Sequence, residues 1–581
     1  MENPYTIFIT AQAITRDLGD ESGRQFALAR LRRARVRRVV LEGYRSGLCV
    51  AESLLRDLRE FFQGHGYDVL GGLMPVYGKG FGKYSEGVEV RNEFSFFCYS
   101  AEETVGGLEQ EIRKLSRLFN QVVIDDAFLT PCRCAKCESG RGERDRPTFR
   151  RELLCEVAQR WRRAAHDENP SVRFTVKFPQ YYDRYHLFGY DVARFTEIFD
   201  AVWVGTETRD PGTLDFGYVE PYQGYFNARW MRACAGAKFE AAWYDFYDCD
   251  EQLFYEQGVT TALGGPEDIV LFCYDEALMD SNKMTRLSQG TPGIERLRES
   301  AARPEGVFVV KPPNSEGGHD LFIFDYLGML GVPCVPVTSL APGMRSVIVP
   351  THGLEDPCCA ELIPQILAAG GQVILTLGAL VRLAAYPELV ASFGYRTANV
   401  ARARAALRWI ELQGNRYELA EAFPVPGDLY PHDADIPVTG YFEGFGGKLG
   451  AVPLVTVKNH PGGGRAVVWN LETFDHEDYV ISEQLNVPVR SPLFHLPKEV
   501  IDFLRNLALA PLGFSINAPA RVASFLFERH VVFVNYGTAI GEVEVKGLAW
   551  DDSTLHADSP DTTFSDGRLV VAPRSYACLE R

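Results

Sequence analysis

The sequence predicts a (β/α)8 barrel over residues 1–295, then a flavodoxin-like or amidotransferase-like α/β domain over 296–490, then a small antiparallel β-sandwich over 491–581. Three observations carry this. Eight short apolar runs alternate with helical patterns over the first half of the chain, and each run ends in polar residues. Beyond residue 295 the text turns to β-rich runs separated by helical pieces, and near the end it turns to alternating strands.

The eight runs, in order, are YTIFITAQ, VRRVVLEGYR, YDVLGGLMPVYG, QVVIDDAF, VRFTVKFPQYYD, AVWVGTETRD, FEAAWYDFYD and DIVLFCYDE. Between them, AEETVGGLEQEIRKLSRLF and TFRRELLCEVAQRWRRAAHDENP have helical spacing, and a proline closes the second. A doubly wound open sheet is the rival fold, but it would carry a phosphate-cradling glycine fingerprint after the first run, which is missing. In the middle domain GVFVVKPP, LFIFDYLGMLGVPCVPV, SVIVPTHG and GGQVILTLGALVRL are the strand-bearing runs, with CCAELIPQILAAG helical. Two further strands flank the turn at Pro461 to Gly464. Leu377, Gly378 and Ala379 fill the place of an amidotransferase cysteine elbow, so this domain reads as a scaffold or oligomerisation module. VASFLFERHVVFVNYGTAIGEVEVKG and GRLVVAPRSYACLER, alternating and β-branched, give the sandwich.

A net charge of −17 disfavours nucleic acid and anionic membranes as partners and leaves neutral substrates as the easiest fit. The N-terminus lacks a basic stretch leading into a long apolar run, and no uninterrupted apolar segment is long enough to span a bilayer, so the expected location is cytoplasmic. Thirteen cysteines, an odd number, read as reduced thiols.

In a barrel of this kind the polar residues after each strand converge on one mouth. They are Glu42, Asp125, Asp126, Lys177, Glu207, Tyr244, Asp245 and Asp275, with Tyr44, Phe128, Tyr181, Tyr182, Trp203, Trp243 and Tyr274 beside them. Acids next to flat rings suit a small carbohydrate, whose C–H faces stack and whose hydroxyls bond to carboxylates. Two carboxyl groups in different environments imply glycoside hydrolysis with no cofactor required. One of Asp125 and Asp126 is expected to be catalytic, since strand alternation turns only one of them into the mouth. Glu207 is the second candidate, or else a salt-bridge partner among Thr206, Thr208 and Arg209. Lys177 is expected to hold a carboxylate ionised. Glu42, Tyr44, Tyr181, Trp243, Tyr244, Asp245 and Asp275 are expected to bind substrate. The spacing C-x-C-x2-C of Cys132, Cys134 and Cys137 admits a structural zinc with a fourth ligand, Cys98 or Cys155 being nearest in sequence; the alternative is three thiols packing the loop. A non-hydrolytic carbohydrate-binding or regulatory barrel, or a transglycosidase, would use similar residues.

The strings IDDAFLTPCRCAKC, GTETRD and WYDFYDCD resemble bacterial glycoside-hydrolase-like barrel proteins, and the acids after the fourth and sixth strands are similar to those of the retaining α-galactosidase clan. That resemblance implies double displacement with Asp125 or Asp126 as nucleophile and Glu207 as acid/base. The domain order resembles the three-domain bacterial β-galactosidases, which place a cysteine–zinc cluster beside the barrel. The chain departs from the clan that carries asparagine–glutamate on the fourth strand and glutamate on the seventh, offering IDD and WYD instead. A homodimer or homotrimer built through the middle domain is expected.

Overall fold

The computed structural model describes residues 4–76, 78–87, 96–210, 220–398, 404–426, 430–444, 447–471, 492–565 and 568–581. The chain divides into two compact units, Met1–Asp210 with Asn227–Arg298, and Pro211–Phe226 with Glu299–Arg581.

The first unit is a closed barrel of eight parallel strands: β1 Tyr5–Ile9, β2 Val36–Arg45, β3 Asp68–Met74, β4 Gln121–Asp125, β5 Arg173–Phe178, β6 Ala201–Gly205, β7 Phe239–Asp245 and β8 Asp268–Phe272. Each pairs in parallel with the next, and β1 closes the ring by pairing with both β2 and β8. The interior is filled by Phe8, Val40, Leu70, Val123, Trp203, Trp243, Val270 and Phe272. Space there is tight enough to require glycine at position 72: a Cβ would lie 2.8 Å from Val40 and 2.9 Å from Phe8. The intervening helices begin on side-chain caps, as where Asp145 accepts from Thr148 N at 2.7 Å and Asp250 from Leu253 N at 2.8 Å, each worth about 1 kcal/mol.

The N-terminal strand ends form a floor of paired polar groups. Arg37 and Arg38 both bond Asp268, and Arg173 bonds Glu240. Glu240 also accepts from Gln121 at 2.8 Å and from the Trp203 indole at 3.1 Å.

In the second unit, parallel strands Cys334–Val337, Val307–Val310, Ser346–Val349, Gln372–Thr376 and Arg465–Trp469 lie side by side in that order. Numbered along the chain this is 2-1-3-4-5, the flavodoxin-like order. The sheet continues antiparallel through Leu449–Asn459, Asp435–Glu443, Arg404–Leu412 and Asn415–Pro426. The sequence pattern gave no strand for residues 404–443; there the alternation is weak, and the hairpin turn rests on Gln413 and Gly414, both at positive φ. The C-terminal sandwich has a five-stranded and a four-stranded sheet, the larger including Pro304–Glu305 at one edge. No helix among the described residues is long and apolar enough to cross a membrane.

Candidate active site

Val123 points into the barrel, so Asp125, two residues on, points the same way. Past it the chain turns at Asp126, whose φ of +42° lies in the left-handed region that aspartate tolerates better than most residues. This turn breaks the strand alternation, and the expectation that only one aspartate faces the mouth is corrected: both reach the same lysine. Lys177, register partner of Asp125 on β5, places Nζ 3.4 Å from Asp125 Oδ1, 3.2 Å from Asp126 Oδ1 and 2.8 Å from Glu207 Oε1. The same nitrogen sits 4.9 Å from the centre of the Trp243 ring. Lys177 thus serves three acids, with its shortest contact to Glu207 rather than to an aspartate.

Two arginines complete the charge pattern. Arg45 bonds Glu42 at 2.8 Å and approaches Asp125 Oδ2 at 3.6 Å. Arg209 does not pair with its neighbour Glu207 but forks onto Asp245, with Nε to Oδ1 at 2.9 Å and Nη2 to Oδ2 at 2.6 Å. Among the described residues the cluster therefore sets Glu42, Asp125, Asp126, Glu207 and Asp245 against Arg45, Lys177 and Arg209, two positive charges short. Burial, reinforced by Asp126 and opposed by Lys177 and Arg45, pushes Asp125 up to about 7. Burial likewise raises Glu207 above the ordinary glutamate range against the pull of Lys177. Burial would lower Lys177, but Asp126, Glu207 and Asp125 together hold it well above the ordinary lysine range. The Asp126 side chain is 38% exposed, against 4% for Asp125 and 3% for Glu207, so it is the acid of the three that solvent reaches.

Other expected substrate-binding residues stand differently. Glu42 is fully buried and both its oxygens are taken, by Arg45 and by Ala11 N, so it holds the chain after β1 rather than a sugar hydroxyl. Tyr44 is turned away from the mouth; its hydroxyl bonds Val76 O at 2.9 Å and its ring packs on Phe81. Tyr244 is outside the barrel wall, against Phe254 and Gly258, because it alternates with the inward Trp243 and Asp245. Asp245 is occupied by Arg209, and Asp275 contacts Arg16 at 3.3 Å and the Cys273 thiol at 3.0 Å. Tyr181 is buried against Tyr185 and Phe188, and the Asp126 charge contributes to raising its phenol above the ordinary range, after burial. Sequence reasoning missed Arg45, which bonds Glu42 three residues before it and also approaches Asp125 across the barrel; it offered Arg209 as a partner for Glu207, and the structure pairs Arg209 with Asp245 instead.

A second cluster lies in the loops. Cys98, Cys132, Cys134 and Cys137 bring four sulfur atoms within 4.8 Å of one another, all four residues buried. Cys98 is the fourth member, at 3.8 Å from Cys134 and 3.7 Å from Cys137; Cys155, on helix Arg146–Glu168, is not part of it. The 3.7 and 3.8 Å separations fit thiolates around one tetrahedral zinc, with Zn–S about 2.3 Å.

Residues 3–307 match the family described as probable glycosyl hydrolase, catalytic domain. The chain belongs to this family. The matched residues span the barrel. A curated relative of the chain, the uncharacterized protein SSO3021 of Saccharolobus solfataricus, is 20% identical over 368 residues, 57% of this chain and 60% of that one, so the match spans less than two thirds of the relative. Solved structures similar in fold include the β-galactosidase of Bacillus circulans sp. alkalophilus (TM-score 0.66, 11% identity, 100% of this chain and 99% of that one). A catalytic mutant of the GH42 β-galactosidase Gan42B from G. stearothermophilus gives TM-score 0.66 at 11% identity over 100% and 98% of the two chains. The exo-β-1,4-mannosidase Op5Man5 of an Opitutaceae bacterium gives 0.53 at 12% identity over 80% and 91%. The chain shares with the β-galactosidases the barrel and the sheet-rich C-terminal domains.

Proposed function

We propose that the protein is a glycosidase that cleaves a small glycoside or oligosaccharide with retention, Asp126 acting as nucleophile and Glu207 as acid/base. The shared lysine is the observation that carries this. Because Nζ lies 3.2 Å from one acid and 2.8 Å from the other, the two contacting oxygens are at most about 6 Å apart, which supports the short carboxyl separation of retaining enzymes, about 5–5.5 Å, over the 6.5–9.5 Å of inverting ones. Glu207 Oε1 accepts from Lys177 at 2.8 Å, and burial raises the carboxyl group above the ordinary glutamate range, which suits it to hold a proton for the departing oxygen. In the first step Asp126 bonds the anomeric carbon as the glycosidic C–O bond breaks, and the departing oxygen takes the Glu207 proton. In the second, Glu207 takes a proton from water, the water oxygen bonds the anomeric carbon, and Asp126 leaves. Lys177 stabilises the Glu207 carboxylate that exists between the two steps. Asp125, raised by burial, stands beside the pair in contact with Lys177 and Arg45.

A panel of α- and β-nitrophenyl glycosides tests turnover, with β-galactosides and β-mannosides first because the structural neighbours carry those names. Proton NMR of the first-formed sugar then reads the anomer. Retention is expected; inversion would remove the nucleophile assignment, and binding without turnover would favour a carbohydrate-binding barrel. In the same reading Cys98, Cys132, Cys134 and Cys137 hold a structural zinc that ties down the loop after Asp126, expected as about one zinc per chain by metal analysis; four freely titrating thiols and no metal would exclude it. The middle domain is expected to build a homodimer or homotrimer, which light scattering would read directly.

A further inference from the structure

Glu207 lies two residues beyond the end of β6, and part of what fixes that stub comes from outside the strands. Asn227, fully buried on helix Tyr222–Ala235, donates from Nδ2 to Gly205 O at 2.9 Å. The same nitrogen is 3.3 Å from Pro179 O and 3.4 Å from Gln180 O. The Tyr185 hydroxyl, 3.2 Å from that nitrogen, donates to Pro179 O. Gly205 stands two residues before Glu207, and Pro179 two residues after Lys177. One side-chain amide therefore joins the backbone segments that carry the ammonium and the carboxyl group in contact at 2.8 Å. The fit around Gly205 is close: a Cβ there would lie 2.1 Å from Glu207 Oε2 and 3.0 Å from Gln180 N, so the carboxyl group is folded back over its own strand end.

We propose that Asn227, together with Tyr185, is a positioning residue that holds the Glu207 carboxyl group beside Lys177 in the orientation from which it delivers its proton. The proposal rests on the reading of Glu207 as the acid, and the substrate contacts neither Asn227 nor Tyr185. Losing the amide leaves Gly205 O and Pro179 O without their shared donor in a site closed to water, and the β5 and β6 ends are then free to part. Proton delivery suffers before sugar binding does.

The test separates positioning from general damage by the leaving group. Full-length Asn227→Ser, Tyr185→Phe and Gly205→Ala are compared with Glu207→Gln on two aryl glycosides of the same sugar, dinitrophenyl and phenyl, reading kcat/KM, which reports the first chemical step. The dinitrophenolate departs without a proton, whereas phenol needs one. The expected result is a fall of about tenfold or more on the phenyl glycoside with the dinitrophenyl value within about threefold of the parent, and the same pattern, larger, in Glu207→Gln. Equal losses on both substrates, or none, in the three positioning variants while Glu207→Gln discriminates would overturn the inference alone. If Glu207→Gln does not discriminate, the acid assignment fails and the inference falls with it. Tyr185→Phe removes a single oxygen, and so keeps the test open should Asn227→Ser fold poorly.

Discussion

The two ends of the barrel use the same residue types to opposite effect. At the floor, Asp268 meets Arg37 and Arg38 and Glu240 meets Arg173, so each buried acid has at least one cation of its own. At the mouth, three acids crowd one lysine and the count falls two cations short. Both sets are built from the ends of strands only a few residues long, so the difference is one of which end. A balanced floor contributes to stability. At the under-neutralised mouth, burial first and neighbouring acids after it raise Asp125 and Glu207 toward the range where they can hold and release protons.

The largest effect that would break this comparison is on turnover. Asp126→Asn or Glu207→Gln is expected to lower kcat on an unactivated glycoside by on the order of 10³-fold or more with the melting temperature kept, since each removes one side of the acid–nucleophile pair. A rate within tenfold of the parent in both would dissolve the distinction between mouth and floor. Next comes stability at the floor. Asp268→Asn leaves Arg37 and Arg38 facing an amide in a buried place and should cost about 3 kcal/mol by denaturant unfolding, with the activity of the folded fraction unchanged. Asp125→Asn at the mouth should do the reverse and stabilise the chain, because it removes a charge from a cluster already short of cations.

That gain has a pH signature. Burial raises the Asp125 carboxyl group in the folded barrel to about 7, well above the ordinary aspartate value of 3.8. Its favourable contribution is therefore complete at acid pH and is lost as pH rises through the folded value. The stability advantage of Asp125→Asn over the parent should grow from about pH 4 to about pH 7 and level off above it. An advantage that shrinks with rising pH would show that Asp125 is ionised and well paired. The smallest effect is expected at Arg16, which is 58% exposed where it meets Asp275. Arg16→Ala should change stability by less than about 1 kcal/mol, and that little should vanish in high salt.

Much of the fold could be read along the chain because each strand announces itself locally. The eight apolar runs and the β-rich middle domain depend on residues a few positions apart, and so does the acidity of the mouth, since every run ends in polar residues. What could not be read is phase and partnership. Tyr44 follows a register shift between Glu42 and Tyr44 in the pairing of β2 with β3, which takes it out of simple alternation. Asp126 joins Asp125 at Lys177 through a left-handed backbone that no side-chain pattern reveals. Arg209 stands two residues from Glu207 in sequence yet pairs with Asp245, 36 residues on, because the closed ring sets β7 beside β6. The thiols show the same limit: three of the four sit in one short motif, and only the folded chain selects Cys98 over Cys155.

The shared lysine also constrains how this site can drift. With one ammonium between three carboxyl groups, loss of Lys177 by itself would leave several buried or half-buried acids uncompensated. Loss of an acid by itself only relaxes the crowding. Substitutions are thus ordered: a lineage can pass through an amide at Asp125, Asp126 or Glu207 and give up the lysine afterwards, but the opposite sequence crosses a poorly folding intermediate. Chains that keep the barrel and have lost hydrolysis should therefore be found with the lysine still in place and an acid missing far more often than with the acids intact and the lysine gone.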